Sequence, residues 1–210
     1  MPSEKNAILK IESTGNVPLH VVGRFLSTLE HTYNYIYVGH MLLSDSTQRA
    51  RWREALFSKR PIRFALWVPR QDRLILKSVE LHSPGSWEFL GKLNPLETIR
   101  QYLQDRHERR KDRQYKEPAE KRSMALDNLL RENQVLSGQI DNARKLGATD
   151  EDLKPMLERF IRKPLLELDK VENARIAGKS SVSLSEPGHL LMEDGQTPLQ
   201  GRKITLDDDD

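Results

Sequence analysis

Two amphipathic runs divided by a turn constrain this chain most. In RSMALDNLLRENQVLSGQI (122–140) and the residues that follow, Leu126, Asn133 and Ile140 fall at one heptad position and Leu129, Leu136 and Ala143 at the other. Gly147 ends that helix, and Thr149-Asp150-Glu151-Asp152 starts another, with a capping hydroxyl and acids facing the N-terminal dipole. Leu153, Met156, Leu157, Phe160, Ile161, Leu165, Leu168 and Val171 then supply an apolar stripe, with a kink expected at Pro164. Three heptads are marginal for an isolated dimer. The spacing therefore predicts an antiparallel helical hairpin, in which Asn133 needs a polar partner or an exposed place. The apolar edges of the pair need cover, from the rest of the chain or from a partner.

The rest of the chain has little apolar material to offer. Hydrophobic residues make up 37% of the 210, charged residues 31% and aromatics 6%, which points to a lean globular head, an elongated helical part and a solvated tail. NAILKIES (6–13) alternates as a strand and stops at Thr14-Gly15-Asn16. Pro18 suits the first turn of a helix whose Val22, Phe25, Leu26, Leu29, Tyr33 and Ile36 trace one buried face, fading near Gly39. Ser44 or Asp45 caps a second, basic helix to about residue 60. IRFALWV (62–68) and LILKSVEL (74–81) then read as a hairpin.

The fold class expected is α+β: a three-stranded β-α-α-β-β head over 1–85, a connector over 86–118 that is amphipathic and then basic, a helical hairpin or coiled-coil stalk over 119–178, and a disordered acidic tail over 179–210. SWEFLGKLNPLETIRQYL (86–103) reads as amphipathic helix broken by Gly91 and Pro95, with Asn94-Pro95 as a possible helix start. The tail holds two basic residues against seven acids over 181–210 and is rich in Ser, Gly and Pro. Its HLLMEDG patch is a candidate docking peptide.

Catalytic chemistry finds no foothold in the sequence. There is no cysteine, so thiolate metal sites, disulfides and cysteine nucleophiles are excluded. Gly178-Lys179-Ser180 ends like a phosphate-binding loop, but Asn173 stands where its first glycine belongs, and a helix precedes it instead of a strand. The six histidines form no i,i+4 pair. His82-Ser83-Pro84-Gly85-Ser86 lacks a third group to orient a base. No metal, cofactor or small-molecule substrate is expected, and the chain reads as a non-enzyme.

Basic blocks supply the second reading. Residues 49–73 hold eight Lys or Arg against two acids, and residues 100–122 hold nine against five. Interleaved with Trp52, Phe57, Phe64 and Trp67, these can hold phosphates and stack bases. Arg49, Arg53, Lys59, Arg60, Arg109, Arg110, Lys111 and Arg113 are the candidate nucleic-acid contacts. Trp87, Phe89, Leu90, Leu93, Leu96 and Ile99 before a basic run also fit peripheral membrane contact. The opening MPSEKNAILKIES lacks a charged-then-apolar leader, and the expected location is cytoplasmic.

LILKSVELHSPGSWEF (74–89) passes from a strand through Ser-Pro into an apolar segment and then a charged helical stalk. In that layout, over about residues 6–115, the chain resembles small bacterial accessory proteins of biological-conflict systems, of the effector-associated constant component type. Many of those proteins carry a membrane span after the Ser-Pro turn, where this chain has Glu88, Lys92 and two helix breakers. The resemblance implies an adaptor or sensor without catalysis and carries over no site residue. The leading expectation is an interaction protein that binds a partner or itself through Leu126, Leu129, Asn133, Leu136, Ile140, Leu157, Phe160 and Leu168.

Overall fold

The computed structural model describes residues 5–13, 17–50, 67–80, 85–111, 134–171 and 180–185. Strand β1 (Asn6–Ser13) alternates as expected: Ala7, Leu9, Ile11 and Ser13 are buried, while Lys10 and Glu12 lie on the opposite face. Antiparallel to it lies β3 (Gly85–Lys92), with Leu9 opposite Phe89 and Ile11 opposite Trp87. Strand β2 (Ile75–Glu80) pairs with β3 through a bulge between Leu76 and Ser78, and β4 (Ser180–Leu184) pairs with the other side of β1. The sheet is mixed with helices in an α+β arrangement and has four antiparallel strands in the order β2-β3-β1-β4.

The described residues form four strands, two of which were not expected, and the reasons are local. Residues 85–92 are a strand instead of part of an amphipathic helix, because six of the eight are buried and the period of two disappears. Gly91 is required there by close approach: a Cβ would lie 2.9 Å from the Tyr33 ring. Residues 180–184, expected in a disordered tail, complete the sheet edge with only Val182 packed on the core, Leu184 being exposed. The expected strand 62–68 lies mostly outside the described residues; Trp67 and Val68 form a turn before the 3-10 turn Arg70–Asp72.

Helix α1 (Leu19–Ser44) runs past Gly39 and buries Phe25, Leu29, Tyr33, Ile36, Val38, Leu42 and Leu43. It continues because Gly39 is a contact point: a Cβ there would lie 2.8 Å from Phe160 Cβ. Asp45 caps the next helical segment, accepting from the backbone N–H groups of Thr47 and Gln48. Helix α2 (Leu93–Lys111) starts at the Asn94-Pro95 pair and packs on β1, β3 and β4.

The described part of the hairpin does not project from the head. Helices α3 (Gln134–Lys145), α4 (Asp150–Leu157) and α5 (Lys163–Val171) join the same core, with Leu136, Ala143, Phe160, Ile161, Leu165 and Leu168 all fully buried. Thr149 forms a complete capping box with Asp152. Between α4 and α5, Glu158–Arg162 form a π turn, closed by Lys163 N–H donating to the Glu158 carbonyl. Pro164 accounts for it: with no N–H to offer Phe160, the helix widens by one residue. The wider turn lets consecutive Phe160 and Ile161 both reach α1.

Candidate functional site, a cleft between two helices

Residues 146–149 turn the chain between α3 and α4, and from that turn the two helices diverge. A cleft of about 640 Å³ opens between them. Ser137, Ile140, Asp141 and Arg144 form the α3 wall, at steps of three and four residues. The other wall is Asp150, Leu153, Lys154 and Leu157 of α4, continued by Glu158 and Arg162 of the π turn. Ile140 and Leu157 are half-buried and Leu153 is buried, so the floor is aliphatic. Leu146, in the turn, is 45% exposed.

Charges rim this floor and are mostly spent on one another. Arg144 reaches Asp150 at 3.0 Å and Asp141 at 3.6 Å, closing the turn end of the cleft. Arg162 pairs with Glu158 at 3.0 Å. Lys154 makes no ion pair among the described residues.

Three other polar groupings tie elements together. Tyr33 donates its hydroxyl to the Asp72 carbonyl at 2.7 Å and accepts from the Lys92 N–H at 2.8 Å. Tyr37 donates to the Asp72 carboxylate at 2.7 Å, and Lys92 Nζ lies 3.0 Å from it. The network fixes the 3-10 turn to α1 and the end of β3. His40 is buried, with Gln139 of α3 at Nδ1 and Thr98 of α2 at Nε2, 3.2 Å away. Burial lowers its pKa from the ordinary 6.5 to about 4, against the opposing pull of the Gln139 hydrogen bond. A neutral ring thus joins three helices. Arg106 and Asp169 tie α2 to α5 through a 2.7 Å ion pair.

No family model, curated protein or solved structure matches this chain. The site rests on its own geometry.

Of the eight expected interaction residues, five lie among the described residues. Ile140 and Leu157 line the cleft, whereas Leu136, Phe160 and Leu168 are fully buried in the core. Leu126, Leu129 and Asn133 lie outside the described residues, as do Arg53, Lys59, Arg60 and Arg113. Arg109, Arg110 and Lys111 lie in the last turns of α2, where the backbone alone is described. Arg49 points inward: its guanidinium donates to the carbonyls of Leu42, Ala143 and Leu146 at 3.2–3.5 Å. It caps the C-terminus of α3 with positive charge. No described helix is long and apolar enough to cross a membrane.

Sequence reasoning missed Ser137, Asp141, Arg144, Lys154, Glu158 and Arg162 as cleft residues. Their only signal was polarity close to an apolar residue: Ser137, Asp141 and Arg144 lie within four residues of Ile140, and Lys154, Glu158 and Arg162 within five of Leu157. The Tyr33–Asp72–Lys92 network had no signal, because its members are far apart in sequence.

Proposed function

We propose that this chain is a non-enzymatic interaction protein that docks a protein partner on the outer side of its α3–α4 pair. The observation that carries the reading is a cleft lined by the half-buried Ile140 and Leu157 inside a charged rim, with Leu153 buried beneath them. Solvating such a floor costs about 25 cal/mol per Å² of apolar surface, and a docked partner recovers that cost. The ionisable groups found together are ion-paired or hydrogen-bonded to one another, which suits holding elements in place and not moving protons.

Affinity recovery with the full chain tests the proposal. Wild type is compared with an Ile140→Asp/Leu157→Asp double variant, and captured proteins are identified by mass spectrometry. The expected result is a partner retained by wild type and lost from the variant, with unchanged helical circular dichroism. An identical set from both would overturn the proposal.

A further inference from the structure

We propose that β4 is a detachable strap on the edge of β1. It comes away and returns while the rest of the sheet stays folded, and the edge it leaves accepts an extended peptide of β4's own pattern. The site lies on the sheet and does not depend on the α3–α4 cleft.

The two neighbours of β1 are held very differently. Strand β3 pairs with β1 along its whole length, and six of the eight β3 residues are buried. Strand β4 pairs only along Ala7–Ile11, and none of its five residues is buried. Val182 alone of them packs on the core, and Leu184 is exposed. Ser180 adds one hydrogen bond, its hydroxyl donating to the Arg100 carbonyl of α2 at 3.3 Å. Few buried apolar contacts and exposed backbone hydrogen bonds mark a segment that opens locally at small cost. The core keeps its other supports when the strap leaves. Ala7, Leu9 and Ile11 lie opposite Gly91, Phe89 and Trp87, and α2 packs on β1 and β3 as well as on β4.

The hydrogen-bond register says what an opening uncovers. Leu93, next after β3, donates its N–H to the Lys5 carbonyl, whereas Ser185, next after β4, donates to the Asn6 carbonyl. Backbone groups alternate sides along a strand, so Ile8 and Lys10 turn theirs to β4, while Ala7, Leu9 and Ile11 turn theirs to β3. With β4 away, Ile8 and Lys10 present open N–H and C=O groups on a strand still held extended by β3. That is the template an added strand needs. Strand β4 itself shows what the template takes: an aliphatic residue opposite Leu9, set between two serines.

Amide exchange of the full chain, resolved by residue with NMR, tests the strap. Protection factors at Ile8 and Lys10 should be about a hundredfold lower than at Leu9 and Ile11, an alternation along one strand. Val182→Asp should lower the first pair about tenfold further and leave the second alone. The chain has no native cysteine, so Ala7→Cys/Leu184→Cys forms a single disulfide. It bridges a non-hydrogen-bonded pair, where Cα atoms lie about 4.5 Å apart. Oxidation of that chain should raise Ile8 and Lys10 to the level of their neighbours, and reduction should reverse it.

The acceptor edge is read with a fluorescent peptide of residues 178–186, GKSSVSLSE. It should bind the Val182→Asp chain about tenfold more tightly than wild type, and the oxidised chain not at all. If the cysteine pair impairs folding, the Val182→Asp comparison decides by itself. Equal protection of the four amides in wild type would overturn the local opening. A peptide that binds no form, or binds wild type and Val182→Asp alike, would overturn the acceptor edge, as would binding to the oxidised chain.

Discussion

The two sides of the α3–α5 segment carry similar residues and have opposite fates. On the inner side, Leu136, Ala143, Phe160, Ile161, Leu165 and Leu168 are buried against α1 and its neighbours. On the outer side, Ile140 and Leu157 stay half-buried over a cleft. A stripe of leucine and isoleucine therefore does not by itself announce docking. What separates the sides is the presence of a facing element: α1, with Gly39 and Thr32 turned toward the π turn and Pro164, covers one side only.

Substitutions on the inner side should reveal that difference most strongly. Phe160→Ala removes a fully buried ring beside Gly39 and should cost about 3–5 kcal/mol in denaturant unfolding. A loss under about 1 kcal/mol would mean the inner contact is not core.

The pH dependence of stability probes a second contact of α1, through His40 and its partners Gln139 and Thr98. The unfolded ring takes up a proton near pH 6.5, and the folded ring not until about pH 4. Stability should therefore be full above pH 6.5 and fall by about 3 kcal/mol as pH drops to 4, with His40 contributing no further change below that. Replacing His40 with Gln should flatten this part of the profile. A slope that persists in that variant would place the titration elsewhere.

Gly39→Ala should cost about 1–3 kcal/mol, because the new Cβ must displace the Phe160 backbone side and not a flexible tip. A neutral result would show that α1 and the π turn are not in close contact. A smaller effect, about 1 kcal/mol, is expected for Thr149→Ala, which removes the capping box of α4. Urea midpoints resolve both.

Where a signal was local, the sequence could be read for structure. Strand β1 spans the expected 6–13, the Thr149 cap and its acids begin α4, and Gly147, at φ 82°, terminates the preceding helix. Where burial on both faces or a distant partner decided the outcome, it could not. Trp87, Phe89 and Leu90 looked helical because a central strand has no polar side to alternate. Ser180–Leu184 looked like tail because an edge strand needs few apolar residues when β1 supplies the hydrogen bonds. The cleft was half legible: Ile140 and Leu157 stood out as apolar, but nothing in the sequence told them apart from Leu136 and Phe160. That distinction depends on α1, about a hundred residues away along the chain.

The most direct test compares unfolding and partner recovery for the Ile140→Asp/Leu157→Asp chain. The account expects loss of the recovered partner together with an unfolding cost well below that of Phe160→Ala, since both side chains are only partly buried where they pack against the core. Destabilisation as large as that of Phe160→Ala, or undiminished recovery, would contradict it.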